Sequence, residues 1–462
     1  MGVAPGKPAP PTTRNRRPQH QAKAASPEGL TARRAALMAL SRILDDRVTI
    51  DEALDGLLQK PAFDGLDARD RRFVRALLTT VFRHFGAIDQ RLSRFLKRRL
   101  PAKAEPVRNI LRLGLAQLDH MQVADHAAVS LTVDLARTDP VATHFVPLVN
   151  GVLRSAGRDA GTGPGRARTV PAWLWRRWRG VYGEEVARKI IATLSESPEL
   201  DISVKQDPER WADRLNGLVL PTGTVRLTDK SAVETLDGFD GGGWWVQDAA
   251  AALPARLLGP VEGLSVLDLC AAPGGKTAQL AAAGARVIAV DQSARRLERL
   301  RGNLARLQVD ADIVQADILT WEPAAPADAI LLDAPCSATG TIRRHPEIPL
   351  TRTETDILDL VPRQADLLRR AAAWTRRGGL LVYSTCSLEP EEGEDQAAGF
   401  LDANPDFVRE PITAEEVGGL DAAITPSGDV RTLPFMNWAG IERRGLDGFF
   451  MARFRRTADR SE

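Results

Sequence analysis

From Val261 to the carboxyl end, strand-like apolar runs alternate with helical stripes, and that alternation leaves few folds open to the chain. Strands are predicted at 264–269, 286–290, 312–315, 329–332 and 379–383, and helices near 276–283, 293–307, 354–377 and 391–403. Strands separated by helices in this way imply right-handed crossovers and a largely parallel, doubly wound sheet. A late strand over Gly448 to Phe454 can join antiparallel. Sheets of this kind bind ligands beyond the carboxyl ends of their strands. Three segments there stand out: Cys270-Ala271-Ala272-Pro273-Gly274-Gly275-Lys276-Thr277 after Val266-Leu267-Asp268-Leu269, then Asp333-Ala334-Pro335-Cys336-Ser337, then Tyr383-Ser384-Thr385-Cys386-Ser387. Between them they hold all 3 cysteines of the chain.

The preceding half is organised differently. Residues 1–28 are rich in Pro, Gly and Gln and carry Lys7, Arg14, Arg16, Arg17 and Lys23 without apolar periodicity. They have the composition of a disordered tail whose charge favours a polyanion. From Thr31 apolar residues recur three and four apart, as in Ala36, Leu37, Leu40, Ile43 and Leu44, and such stripes return at 50–59, 69–85, 87–97, 105–119, 126–137 and 142–154. That spacing predicts an all-helical domain over 29–156. Its exposed Arg91, Arg94, Lys97, Arg98 and Arg99 fit either a solvated face or a nucleic-acid contact. Gly161, Gly163, Pro164 and Gly165 mark a linker over 157–168. A small mixed domain is expected over 169–243, opening with a helix that carries Trp173, Trp175, Arg176, Arg177, Trp178 and Arg179. Those residues suit stacking on unpaired bases or anchoring a core. The last domain is expected over 244–462, entered by an alanine-rich helix after Trp244-Trp245-Val246-Gln247-Asp248.

At 462 residues and 26% charged, the chain has room for about three domains of roughly 150 residues each. It shows neither an apolar run of the roughly 20 residues a membrane span needs nor a secretory signal, so a cytoplasmic protein without membrane contact is expected. Scattered cysteines with no Cys-x-x-Cys, and only 6 histidines, predict free thiols and no metal.

Pro273-Gly274-Gly275 occupies the first strand-to-helix turn, where backbone amides form a ligand site. The segment has neither the glycine spacing of a dinucleotide fold nor that of a phosphate loop. A tight turn without a phosphate cradle, followed by an acid closing the second strand, suits S-adenosylmethionine. Asp291 is placed to accept from ribose hydroxyls, and Asp317 after the third strand to accept from the adenine amino group. Cys270 reads as a small hydrophobe whose backbone lines the pocket. The other two cysteines call for chemistry. Carbon 5 of cytosine is a poor nucleophile until a thiolate adds to carbon 6, whereas methylating an amine needs no thiol.

Asp268 to Thr277, Asp333 to Ser337, Gly340-Thr341-Ile342-Arg343-Arg344-His345-Pro346 and Tyr383 to Ser387 together resemble the RsmB/Sun (Fmu) family of RNA cytosine-5 methyltransferases. The amino-terminal helices resemble the RNA-binding fold of the antitermination factor NusB. The resemblance implies three parts: an all-α NusB-like domain, a small α+β linking subdomain that also binds RNA, and an α/β Rossmann-like class I methyltransferase domain. It makes Cys386 the nucleophile, Cys336 the thiol that assists product release, and Asp333 the contact to the cytosine ring. Cofactor binding falls to Cys270, Ala271, Ala272, Pro273, Gly274, Gly275, Lys276, Asp291, Asp317 and Asp333. Lys276, Arg343, Arg344 and His345 are candidates to supply charge or substrate contacts, with His345 equally readable as a loop residue. The implied activity is 5-methylcytosine formation in small-subunit ribosomal RNA, and a monomer is expected. The same chemistry on transfer RNA, or a noncatalytic RNA-binding assembly factor, are the alternatives. The run Ser195 to Lys205 departs from the family's pattern.

Overall fold

The computed structural model describes residues 2, 29–96, 98–159, 170–228, 232–441 and 445–457. The expected tail, apart from Gly2, residues 160–168 of the expected linker, and Lys97 lie outside the described residues.

Seven helices follow the apolar stripes: α1 Leu30–Asp46, α2 Ile50–Leu58, α3 Ala68–Arg83, α4 Phe85–Phe95, α5 Glu105–His120, α6 Asp125–Thr138 and α7 Val146–Arg158. They share one core in which Leu40, Leu77, Leu78, Ile110, Leu113 and Leu153 are fully buried. Local chemistry sets the boundaries. Thr49 and Glu52 form a reciprocal capping box that starts α2, and α7 continues to Arg158, past the point where the linker is expected. At the joint of α3 and α4, His84 stacks on His120 with ring centroids 3.8 Å apart.

Helix α8, Ala172–Leu194, is interrupted at Gly183, whose φ of 78° no helix accepts. A small antiparallel sheet follows in the order β2-β3-β1-β4, built from β1 Leu200–Val204, β2 Gly217–Val219, β3 Val225–Leu227 and β4 Trp244–Val246, with α9 Pro208–Arg214 between β1 and β2. Strand β4 pairs with β1, so the small sheet extends past residue 243. Arg226 grips Asp201 with two bonds of 2.7 and 2.8 Å in the interior and donates to the Gly445 carbonyl at 2.9 Å, which fastens this sheet to the last domain. Removing one member of such a pair leaves an uncompensated buried charge, at a cost of about 3–5 kcal/mol.

The expected alanine-rich helix after Asp248 shrinks to α10, Leu253–Arg256. Pro254 fits only a helix's first turn, and Gly259-Pro260 closes the segment. The main sheet then takes the order β10-β12-β9-β8-β5-β6-β7, with β11 paired to β12. Its elements are β5 Ser265–Leu269, α11 Gly275–Ala282, β6 Arg286–Asp291, α12 Ala294–Leu307, β7 Asp312–Gln315, β8 Ala327–Asp333, α13 Ile348–Thr351, α14 Glu354–Trp374, β9 Thr375–Thr385, α15 Glu394–Ala403, β10 Phe407–Arg409, β11 Val430–Arg431 and β12 Phe450–Arg456. Strands β5 to β9 are parallel, and β12 runs antiparallel to β9. The order reverses between β5 and β8, the switch point of an open sheet.

The helical domain is seated on the segment after Cys336. The Ile50 N–H at the start of α2 donates to the buried Glu347 carboxylate at 3.2 Å, and Arg83 donates to the Arg343 carbonyl at 2.9 Å. Leu350 packs into the helical core.

Burial, the partner ring and Arg83 push His84 down to about 4, and burial with Arg91 lowers His120. Between the ordinary histidine value near 6.5 and 4 the unfolded chain therefore binds more protons than the folded one, and stability falls as pH falls. Replacing both by Gln is expected to flatten that decline relative to the parent, as read by urea unfolding at stepped pH.

Candidate active site

The switch point puts three strand ends side by side. In β5 the chain leaves through Cys270, whose φ of 63° turns it sharply, and reaches Gly274 at φ 101°, the residue that caps α11. A Cβ at Gly274 would stand 2.8 Å from Leu300 Cγ, so only glycine lets the turn lie against α12. The Asp291 carboxylate accepts the Ala272 N–H at 3.2 Å and the Ser293 N–H at 2.9 Å, tying this turn to the end of β6.

Strands β8 and β9 pair in register, Leu332 with Tyr383 and Asp333 with Ser384. Each cysteine lies just beyond that last pair, and their sulfurs meet at 3.5 Å. The Gly340 N–H donates to the Cys386 carbonyl at 3.0 Å, and the Ala334 N–H to the Ser384 carbonyl at 2.9 Å. Asp333 is held from both sides, by Lys276 Nζ at 2.7 Å and Ser384 Oγ at 2.9 Å. Burial opposes the Lys276 charge, but Asp333 and the Cys386 sulfur together hold its pKa above the ordinary lysine value. The hydrogen bond to Cys386, with burial behind it, raises Cys336 well above a free thiol.

A cavity of about 180 Å³ opens at this point, lined by Cys270, Asp291, Asp317, Asp333, Cys336 and Cys386. The three carboxylates, with Arg296 and Arg363 also in the lining, offer acceptors to a ligand bearing hydroxyl and amino donors. A sulfonium ligand such as S-adenosylmethionine fits that lining. Ala271 and Ala272 are buried behind the cavity, Pro273 is exposed on its turn, and Gly275 starts α11. Burial, reinforced by Asp291 and Asp333, pushes the Cys270 thiol up, as befits a small hydrophobe.

Other candidates serve the scaffold. Arg343 is 1% exposed and donates to the Leu446 carbonyl at 3.4 Å. Arg344 bridges Asp447 at 3.0 Å and Asp248. His345 lies 3.6 Å from Glu347 at the seat of the helical domain. None of the three lines the cavity, because the turn over Thr339–Thr341 carries the chain away from it. In the basic cluster that begins in α4 and runs past its end, Arg91 is tied to Asp119 at 2.8 Å and to the Ala156 carbonyl at 2.8 Å, while Arg94, Arg98 and Arg99 are exposed.

Two of the Trp and Arg residues of α8, Arg177 and Trp178, anchor the segment after Cys386, while Arg176 and Arg179 are exposed. Trp178 is fully buried, and its Nε1 donates to Glu389 at 3.0 Å. Arg177 reaches Glu389 at 2.8 Å, Glu391 at 2.7 Å and Glu354 at 2.9 Å. Sequence reasoning passed over Glu389 and Glu392, both 0% exposed. They sit in a run of acids resembling the first turn of a helix, and nothing in that run marks which point inward.

The fold and site define an S-adenosylmethionine-dependent methyltransferase of the Rossmann-like type with a thiol pair at the ends of its strands. Residues 255–455 match the family described as 16S rRNA methyltransferase RsmB/F, and residues 30–158 match the NusB family. Ribosomal RNA small subunit methyltransferase B of Cronobacter sakazakii is 31% identical over 92% of this chain and 99% of its own length. The protein of the same description in Xylella fastidiosa is 35% identical over 92% of this chain and 98% of its own. The chain belongs to the RsmB/F methyltransferase family. In fold it is similar to PH0851, with a TM-score of 0.71 and 22% identity over 92% of this chain and 98% of that one. It is also similar to NSun6 from Pyrococcus horikoshii, solved with SFG, with a TM-score of 0.54 and 22% identity over 63% of this chain and 100% of that one. Among the described residues no group of His, Cys, Asp and Glu could hold a metal ion, and no helix is long and apolar enough to cross a membrane.

Replacing Trp178 by Ala is expected to cost about 3–5 kcal/mol of stability in urea unfolding, the usual loss for a buried aromatic. An unchanged midpoint would return this tryptophan to a surface role.

Proposed function

We propose that the chain makes 5-methylcytosine in small-subunit ribosomal RNA through a transient bond from Cys386 to carbon 6 of the base. The observation that carries this reading is the 3.5 Å approach of two sulfurs in the lining of the cavity that Asp291 and Asp317 also line. A methyltransferase acting on an amine has no use for such a pair.

In this reading the target base leaves its stack to enter the cavity. Cys386 adds as the thiolate, in the field of the Lys276 ammonium. Asp333, already oriented by Lys276 and Ser384, faces the ring and stabilises the protonated adduct. Bound S-adenosylmethionine supplies the methyl group that carbon 5 accepts. Residues 270–276, Asp291 and Asp317 would hold it, Asp291 accepting from the ribose hydroxyls and Asp317 from the adenine amino group. Loss of the carbon 5 proton to solvent base lets the Cys386 sulfur leave as the thiolate and restores the aromatic ring, and Cys336 assists that release. The helical domain over 29–156 and the small domain over 169–243 bring the RNA to this edge.

Cys386→Ala is expected to abolish transfer of labelled methyl to 16S RNA while RNA binding survives, and undiminished transfer would overturn the assignment. Cys336→Ala is expected to accumulate a protein–RNA adduct that persists on a denaturing gel. Bisulfite sequencing of ribosomal and transfer RNA from cells lacking and regaining the chain reads the target, and new 5-methylcytosine confined to transfer RNA would refute the ribosomal one.

Asp317→Ala removes one charge-assisted hydrogen bond, worth about 1.5–3 kcal/mol. Calorimetric titration should show S-adenosylmethionine binding about tenfold to a hundredfold more weakly.

A further inference from the structure

The two cysteines leave different strands, yet both sulfurs must stay within reach of one ring. Pairing of β8 with β9 ends at Asp333 and Ser384, short of either cysteine. Glu392 spans the gap. One carboxylate oxygen accepts the Ser337 N–H at 2.8 Å and Gln364 Nε2 at 3.1 Å. The other accepts the Ser337 and Ser387 hydroxyls, each at 2.5 Å. The backbone carbonyl of Glu392 accepts the Thr385 hydroxyl at 3.2 Å and the Tyr383 hydroxyl at 2.8 Å. A single residue therefore holds the neighbours of Cys386 on both sides and the residue that follows Cys336. Gln364 also donates to the Pro335 carbonyl at 2.9 Å, which steadies the Cys336 segment from α14.

We infer that Glu392 is the positioning residue of the thiol pair, its carboxylate setting the spacing of the two sulfurs through Ser337 and Ser387. The inference rests on the thiol mechanism above. Glu392 does not line the cavity and touches no reacting atom. A carboxylate suits the place because four donors converge on its two oxygens, whereas an amide keeps one oxygen and its NH2 group must find lone pairs on two serine hydroxyls, of which Ser387 Oγ already accepts the Glu389 N–H at 3.0 Å. Its negative charge also contributes to keeping the proton on Cys336.

The informative variant is Glu392→Gln, nearly the same in volume. Loss of positioning is expected to lower kcat for methyl transfer roughly tenfold to a hundredfold, as misplacement by about 1 Å can. KM for RNA and for S-adenosylmethionine should not change, since neither ligand touches Glu392. A second readout measures sulfur proximity directly. Diamide takes two electrons and two protons from Cys336 and Cys386 to leave one disulfide, and counting thiols in the unfolded protein follows closure. The parent should close rapidly and Glu392→Gln slowly, whereas a general loosening would raise both KM values and speed thiol oxidation.

Parental kcat together with parental closure in Glu392→Gln would overturn the inference, as would a kcat loss accompanied by raised KM and unslowed closure. Should that variant fail to fold, Ser337→Ala with Ser387→Ala removes the same hydroxyl bonds and is judged by the same two readouts. Cys386→Ala tells this apart from the mechanism itself. Continued methylation by Cys386→Ala sinks the thiol reading, whereas a dead Cys386→Ala beside an unaffected Glu392→Gln sinks only the role given to Glu392.

Discussion

Parallel pairing between β8 and β9 is the constraint from which the rest of the site follows. Both strands are buried, so register is specified by apolar side chains packed on each face, and a shift of one residue would turn every one of them to the wrong side. That register brings Asp333 level with Ser384. The cysteines then lie on adjacent loops, where backbone bonds such as Gly340 to Cys386 can join them. Close approach is needed as well, because a Cβ on Gly340 would fall 1.9 Å from the Gly448 carbonyl oxygen. The proximity of the two sulfurs is inherited from the packing of two strands.

The surroundings are more polar than an ordinary core. Glu389, Glu392, Arg343 and Ser387 are at or near zero exposure, and each has partners. Buried charges of this kind add little net stability but strongly penalise arrangements that leave them unpaired. They act here as a specification, fixing one geometry for the segments after Cys336 and Cys386. Helix α8 takes part through Arg177 and Trp178, so residues with the look of a nucleic-acid surface spend two of their number on carboxylates of the protein itself.

Much of this organisation was legible in the chain. The strands of the parallel sheet were readable because β-branched and leucine runs alternate with long helical stripes, and the helical domain because its stripes repeat over 29–156. Strands β10 and β11 were not, since three and two residues are too few to show a period of two. The helix expected after Asp248 failed on Pro254, a breaker outweighed by the surrounding alanines in composition alone. Within the site, Cys270, Asp291, Asp317, Asp333, Cys336 and Cys386 gather at one cavity as their strand-end positions implied. Arg343, Arg344 and His345 did not join them, because a short turn redirects the chain and charge alone does not reveal direction. Glu392 stayed hidden for the converse reason: its importance lies in what converges on it, and convergence is a property of the fold.

The contact between Ile50 and Glu347 carries a further meaning. The helical domain rests on the stretch that leads away from Cys336, and Arg295 and Arg299 reach across from α12 to Asp55 on the other side. Helical domain and strand-end cavity are thereby joined at two places, like the arms of a calliper of set width. On the proposed reading, a substrate long enough to touch both arms would be measured as well as held, and selection of one base among many would reside in the distance between two contacts.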